Sequence, residues 1–166
     1  MKTLLSHRKA SFILQRAWSP AALLLCLAAQ SSQADSVWTG GTSNDWNLPA
    51  NWSAGYPGAT NAIVNPNAGA FPIPTISANA TTVNDIRIND TGAGTATVNQ
   101  TAGAITQTGW FRIATTGGGT GIFNFSGGTE TVTGGRVHIG ESGNGVMNIS
   151  GSAQLIANGG EGFVLG

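Results

Sequence analysis

The chain has 166 residues, which favours one domain, and only 8% of them are charged, against roughly 25% in ordinary globular domains. Low charge argues against a disordered tail, which usually combines low hydrophobicity with high net charge. Residues 35–166 carry three arginines against seven carboxylates, a net charge of about −4. This balance disfavours nucleic-acid binding, because contacts to phosphates depend on lysine and arginine.

The first 34 residues have the order of a secretory signal peptide. Basic residues come first, an apolar run follows at 20–29, and small residues end the segment at 32–34. The apolar run is shorter than the roughly 20 residues that span a bilayer. We predict cleavage after Ala34, export, and no membrane span in the mature chain. The single cysteine, Cys26, lies in this leader, so the mature chain has no thiol for disulfides or metal ligation.

Residues 35–80 are rich in tryptophan and proline and contain Trp38, Trp46 and Trp52. Each proline removes a backbone hydrogen-bond donor and restricts φ, so only short strands are expected, at 36–39 and 61–65. The segment is predicted to form an N-terminal cap with an aromatic core.

From residue 81 onward the chain repeats itself with a period of about 25 residues. A turn of the form Thr/Ser-Gly-x-Gly recurs at 91–94, 116–119 and 142–145, and two further columns follow nearly the same spacing. These columns are Ile88, Ile113, Ile139 and Leu165, and Asn99, Asn124 and Asn148. Agreement between three independent columns indicates a repeat architecture.

Each repeat has about three short β-like segments separated by glycine turns, which predicts an all-β, right-handed parallel β-helix, or β-solenoid. The predicted coils span 81–105, 106–132 and 133–157, and an incomplete coil runs to 166. We therefore expect the chain to be the N-terminal piece of a longer protein. An antiparallel sandwich also has regularly spaced short strands, but it does not explain similar residues recurring at the full 25-residue period.

Two stretches of the sequence resemble a known family. Residues 37–41, 44–47 and 50–53 (VWTGG, NDWN and ANWS) resemble the opening of large bacterial surface proteins built of autotransporter-associated β-strand repeats. Residues 125–128 and 139–145 resemble the repeats themselves. The resemblance implies a β-helical protein, secreted or displayed on the outer surface of a Gram-negative bacterium, with an adhesive or structural role.

The strongest candidate ligand-binding residues are Arg87, Arg112 and His138. Each precedes an inward aliphatic residue, so the three should stack on one outer face, where a basic ladder could bind acidic polysaccharide. The alternative is an ordinary solvated strand face. A sugar-stacking platform could be formed by the aromatic residues Trp38, Trp46, Trp52, Tyr56 and Trp110, and the alternative for them is the buried core of the cap.

We predict no catalytic residues, no metal site and no cofactor. His138 is the one histidine after the leader and no cysteine accompanies it, so a transition-metal site or a hydrolytic triad lacks partners. The expected function is a non-enzymatic adhesive or structural protein whose partners are extracellular polysaccharide or other surface proteins. The alternative is a polysaccharide-binding or polysaccharide-lyase-like β-helix, which would need clustered carboxylates, and Asp85 and Asp90 are the one close acidic pair. The repeated asparagines are predicted to form a turn ladder that joins the coils.

Overall fold

The computed structural model describes residues 34–66 and 71–166, so the predicted signal peptide, with Cys26, lies outside the described residues except for Ala34. The described part contains thirteen strands and a short 3-10 helix at Pro49–Asn51. The strands are β1 (Ser36–Val37), β2 (Ala62–Val64), β3 (Thr75–Ile76), β4 (Ile86–Ile88), β5 (Gly94–Gln100), β6 (Ala104–Gln107), β7 (Phe111–Ile113), β8 (Gly119–Phe125), β9 (Thr129–Val132), β10 (Val137–Ile139), β11 (Asn144–Ile149), β12 (Gln154–Ala157) and β13 (Phe163–Leu165).

The strands form three parallel sheets. The first sheet has the order β1-β2-β4-β7-β10-β13, the second β3-β5-β8-β11 and the third β6-β9-β12. Consecutive strands from β4 onward belong to different sheets, so the chain passes through all three before it returns to the first. This is a β-solenoid of about five turns, which confirms the predicted all-β parallel architecture over the antiparallel sandwich.

The coils stack in the register that the repeat predicts. Ile88 pairs with Ile113, Ile113 with Ile139, and Ile139 with Leu165. The three Thr/Ser-Gly-x-Gly turns connect strands of the first sheet to strands of the second. Strand β6 continues to Gln107, past the predicted end of the first coil at residue 105.

The core lies between the sheets and is filled by alternate residues of each strand. In β8, Phe123 and Phe125 point inward and are almost completely buried, while Ile122 and Asn124 are only partly covered. The ring of Phe123 contacts that of Phe111 edge to face, with centroids 5.0 Å apart. Burial of one such side chain contributes about 1.5 to 3 kcal/mol, so the stacked aromatic and aliphatic columns are the main source of stability.

The segment 35–80, predicted as a cap, also contributes strands to the sheets. β1 and β2 extend the first sheet, and β3 pairs with β5 in the second. The long loop between β1 and β2 is organised by Asn51, which is fully buried. Its Oδ1 accepts hydrogen bonds from the backbone N–H groups of Thr42 and Ser43, and its Nδ2 donates to the carbonyl oxygen of Asp45. Loop and coils therefore form one continuous unit.

Close stacking leaves no room for a side chain at some turns. A Cβ on Gly134, between β9 and β10, would overlap the carbonyl oxygen of Thr108 in the preceding coil. A Cβ on Gly160, in the equivalent turn between β12 and β13, would meet no atom within 4 Å.

We therefore expect Gly134→Ala to lower the free energy of unfolding by about 2 to 3 kcal/mol, because the added methyl group forces two coils apart. The matched change Gly160→Ala should alter it by less than about 0.5 kcal/mol. Urea unfolding followed by circular dichroism measures both. If Gly134→Ala lowered the free energy of unfolding by as little as Gly160→Ala, the coils would be able to separate locally without loss of stability.

Candidate functional site on the outer face of the first sheet

The three candidate residues Arg87, Arg112 and His138, called here the basic column, lie side by side on the first sheet. Arg87 pairs in register with Arg112, and Arg112 pairs with His138. The neighbours of each arginine along its strand are buried, whereas the arginines themselves are only partly covered. The prediction that these residues share one outer face is confirmed.

Arg87 is held by two carboxylates of its own coil. Its Nε and Nη2 donate to Oδ2 of Asp85 at 3.2 and 3.1 Å, and its Nη1 lies 3.5 Å from Oδ2 of Asp90. Burial acts to lower the pKa of Arg87, but the hydrogen bond to Asp85 and the charges of Asp85 and Asp90 outweigh it, so the pKa lies above its ordinary value. Arg87 is thus a permanently charged group that is already paired.

Asp85 also joins two coils. Its second carboxylate oxygen, Oδ1, accepts a hydrogen bond of 2.8 Å from the backbone N–H of Trp110 in the next coil. The side chain of Asp85 is only 6% exposed. This buried carboxylate therefore connects the Arg87 side chain to the start of β7.

Arg112 contacts an aromatic ring instead of a carboxylate. Its guanidinium carbon lies 4.1 Å from the ring centroid of Trp110, and the guanidinium carbon of Arg136 lies 4.6 Å from the same centroid. Arg136 also donates to Oε2 of Glu161 at 2.7 Å. Within 34–66 and 71–166, none of the ion pairs involves Arg112. Trp110 is thus the shared neighbour of two cations, an arrangement that stabilises by about 0.5 to 2 kcal/mol per contact.

His138 completes the column and also has an acidic neighbour, since its Nδ1 lies 3.6 Å from Oε2 of Glu141. The distance is too long for a hydrogen bond, and the two side chains form an ion pair only when His138 is protonated. Three arginines and one histidine therefore share this face with four carboxylates. The carboxylates are Asp85, Asp90, Glu141 and Glu161.

The sequence pattern identified three of the four basic residues of this face, Arg87, Arg112 and His138, and two of its four carboxylates, Asp85 and Asp90. Glu141 was not predicted as a partner of His138, although it follows His138 by three residues. The pair of Arg136 and Glu161 is separated by 25 residues, which is one coil of the repeat. The repeat period was the signal that could have brought these two residues together.

The tryptophans of the segment 35–80 lie elsewhere, in the interior. Trp38, Trp46 and Trp52 are 4%, 0% and 4% exposed, and the ring of Trp52 meets the other two edge to face at 5.1 and 4.7 Å. Their indole N–H groups are also used: Trp38 donates to the carbonyl oxygen of Pro72, and Trp52 to that of Trp46. These rings form the aromatic core and present no stacking platform to a ligand. Among the tryptophans of residues 34–66 and 71–166, Trp110, which directly precedes β7, is the one that accompanies the basic column.

The repeated asparagines form a ladder along the outside of the second sheet. The side-chain Nδ2 of Asn124 donates to Oδ1 of Asn99 at 3.0 Å, and Nδ2 of Asn148 donates to Oδ1 of Asn124 at 2.8 Å. The predicted hydrogen bonding between coils is confirmed, but its assignment to turns was wrong, because all three residues lie within strands β5, β8 and β11. Parallel strands about 4.8 Å apart place equivalent amides within reach of each other.

The described residues offer few groups for chemistry. In 34–66 and 71–166 no group of three or more histidine, cysteine, aspartate or glutamate residues could hold a metal ion. In the same ranges no helix has the length and apolar character needed to cross a membrane. What the first sheet presents is a set of paired charges around one tryptophan.

Comparison of the chain with protein-family models, curated proteins and solved structures finds no match. Inference about function therefore depends on the residues described above.

The ion pairs of this face should differ in their contribution to the free energy of unfolding, with the more buried pair contributing more. Asp85→Asn removes the charge that binds Arg87 but keeps an oxygen that can accept from Trp110, and we expect it to lower the free energy of unfolding by about 2 kcal/mol. Glu161→Gln breaks a pair whose acidic side chain is 46% exposed, and should cost less than about 1 kcal/mol. Urea unfolding at pH 7 gives both values. A larger loss for the Glu161 variant would contradict the assignment of Asp85 as the structural carboxylate.

Proposed function

We propose that this chain is a non-enzymatic extracellular or cell-surface protein with a structural or adhesive role, whose stacked coils form a stiff shaft. The observation that carries the proposal is the use of outer-face polar groups to join one coil to the next. Arg136 binds Glu161 one coil further on, and the asparagine ladder links three coils. Side chains engaged in this way stabilise a shaft and are not free for catalysis.

The geometry of a solenoid suits display over a distance. Each added coil lengthens the shaft by about 4.8 Å and hydrogen-bonds to the coil before it. Stability therefore comes from contacts between neighbouring coils and needs no disulfides. A chain without cysteine after residue 34 is compatible with this role in an oxidising compartment outside the cytoplasm.

The leader at 1–34 supports export as the route to that location. The likeness of residues 37–53 to the opening of bacterial surface proteins with autotransporter-associated repeats supports a Gram-negative outer surface as the destination. Both belong to the proposal, and the solenoid is the structure that such repeats are expected to build.

Export predicts a defined new N-terminus. When the whole chain is expressed in a Gram-negative host, we expect the protein outside the cytoplasm to begin at Asp35, as read by N-terminal sequencing. Replacing the leucines at 23–25 by aspartate should retain it in the cytoplasm at full length. Equal export of this variant and the original chain would refute the assignment of residues 1–34 as a signal peptide.

An adhesive role predicts that attachment depends on the folded shaft and not on His138. Cells that display the protein should attach to abiotic surfaces or to each other more than cells that display the Phe123→Asp variant. Phe123 is completely buried, and a charge at this position prevents the core from packing. His138→Ala should attach as well as the original chain. Attachment lost in a folded His138→Ala protein would favour an active site on the first sheet.

A second function, binding of carboxylated polysaccharide, is favoured by one observation. Arg112 has no acidic partner among residues 34–66 and 71–166, and it lies against Trp110, which is partly exposed. Aromatic rings stack on sugars and a guanidinium binds carboxylates in a bidentate manner. The carboxylates around Arg87 and His138 act against this function because they repel an acidic polymer.

Glycan-array binding decides this second candidate. Binding of uronate-containing glycans that is lost in Arg112→Ala and retained in His138→Ala would support it. Binding of no acidic glycan by the folded protein would remove it and leave the structural role unaffected.

A further inference from the structure

One ionisable group lies inside the solenoid, away from the face described above. Glu130, in β9, is 0% exposed. It pairs in register with Ile105 of β6, and Leu155 of β12 pairs with it on the other side. A carboxyl group therefore occupies a position in an apolar column. Burial of an isolated carboxylate is so costly that the group takes up a proton instead.

The polar neighbours of Glu130 do not compensate a charge. Its Oε1 accepts a hydrogen bond from Nε2 of Gln107 in β6, whereas its Oε2 is buried and has no hydrogen-bond partner among the described residues. No ion pair of residues 34–66 and 71–166 includes Glu130. The phenol of Tyr56 is a titratable group on which Glu130 acts: burial raises the pKa of Tyr56 to about 12, hydrogen bonds with Trp46 and Thr81 lower it, and the negative charge of an ionised Glu130 raises it.

A second buried amide reaches β9 from the preceding coil, in this case from β5. Gln100, at the end of β5, is fully buried, and its Nε2 lies 3.4 Å from the carbonyl oxygen of Thr129, the residue before Glu130. The side-chain oxygens of Gln100 and Gln107 both lack a donor among the described residues. A neutral carboxyl can accept one hydrogen bond and donate another to such an amide oxygen, whereas a carboxylate can only accept.

We propose that Glu130 is a proton-linked latch, a neutral carboxyl that ties β9 to the coil before it and loosens the third sheet when it ionises. This property goes beyond the structural role proposed above and does not depend on it. Protonated, Glu130 shares hydrogen bonds with Gln107 inside an apolar column. Ionised, it places a negative charge at a position that is 0% exposed and that has no cationic partner among residues 34–66 and 71–166.

The pH range follows from the two states of the chain. Burial raises the pKa of Glu130 from 4.5 to about 8, although the hydrogen bond from Gln107 acts to lower it. Between these values the unfolded chain binds fewer protons at this group than the folded chain, so stability decreases as pH rises. Below 4.5 and above 8 the contribution of Glu130 no longer changes with pH.

The test compares the whole chain with Glu130→Gln, an isosteric neutral variant, by urea unfolding from pH 5 to pH 8. We expect the folding constant of the variant, divided by that of the original chain, to rise about tenfold per pH unit, the slope for one proton. The control Glu161→Gln, at a side chain that is 46% exposed and paired with the permanently charged Arg136, should show no such rise. A ratio for Glu130→Gln that stays constant over this range would overturn the proposal.

Nuclear magnetic resonance gives a second readout on the original chain, which also covers the case that Glu130→Gln does not fold. The chain contains only three glutamates, at 130, 141 and 161, so their side-chain carboxyl carbons are readily distinguished. The Glu130 signal should keep the shift of a neutral carboxyl at pH 6.5. Hydrogen exchange of β6, β9 and β12 should accelerate near pH 8 relative to that of β4 and β7. A carboxylate shift for Glu130 at pH 6.5 would overturn the proposal.

Discussion

In-register parallel stacking of the coils is the constraint on which the rest of this structure depends. Backbone hydrogen bonds hold equivalent strands about 4.8 Å apart, so the nearest neighbours of most side chains are the equivalent residues of the coils before and after. A residue must therefore fit a whole column. Ile88, Ile113 and Ile139 satisfy this rule in the interior, and the asparagine ladder satisfies it on the surface.

On the outer face of the first sheet, in-register stacking brings residues of like charge onto adjacent strands, where they repel each other. Two unit charges about 5 Å apart repel by roughly 3 kcal/mol at the effective dielectric constant of 20 that suits partly buried groups. Arg87 and Arg112 pair in register on adjacent strands, and each has its own local partner: two carboxylates for Arg87 and the Trp110 ring for Arg112. The carboxylates that make the column stable also neutralise it. For this reason we propose a structural role for this face in preference to the binding of an acidic ligand.

In the interior, in-register stacking places an ionisable carboxyl group inside the core, where charged groups are rare. A column holds each side chain between two others and excludes water, so the carboxyl of Glu130, between Ile105 and Leu155, has no solvent to support its charge. Its neighbours on the third sheet are amide and apolar groups. A carboxyl group at such a position makes the stacking of the coils sensitive to its protonation.

The period, the in-register columns and the all-β parallel fold follow from the amino-acid sequence alone, because stacked coils repeat their chemistry at a spacing that can be read from the residues. The sequence also identified Arg87, Arg112 and His138 as one outer column. Only the tertiary structure decided which charges meet, since Arg136 and Glu161 are 25 residues apart and Glu141 reaches His138 from a turn. It likewise decided that Trp38, Trp46 and Trp52 pack inside and that Glu130 is buried. Burial and partnership depend on the positions of side chains in adjacent coils, and a repeat pattern specifies which residues are equivalent but not which of their neighbours they contact.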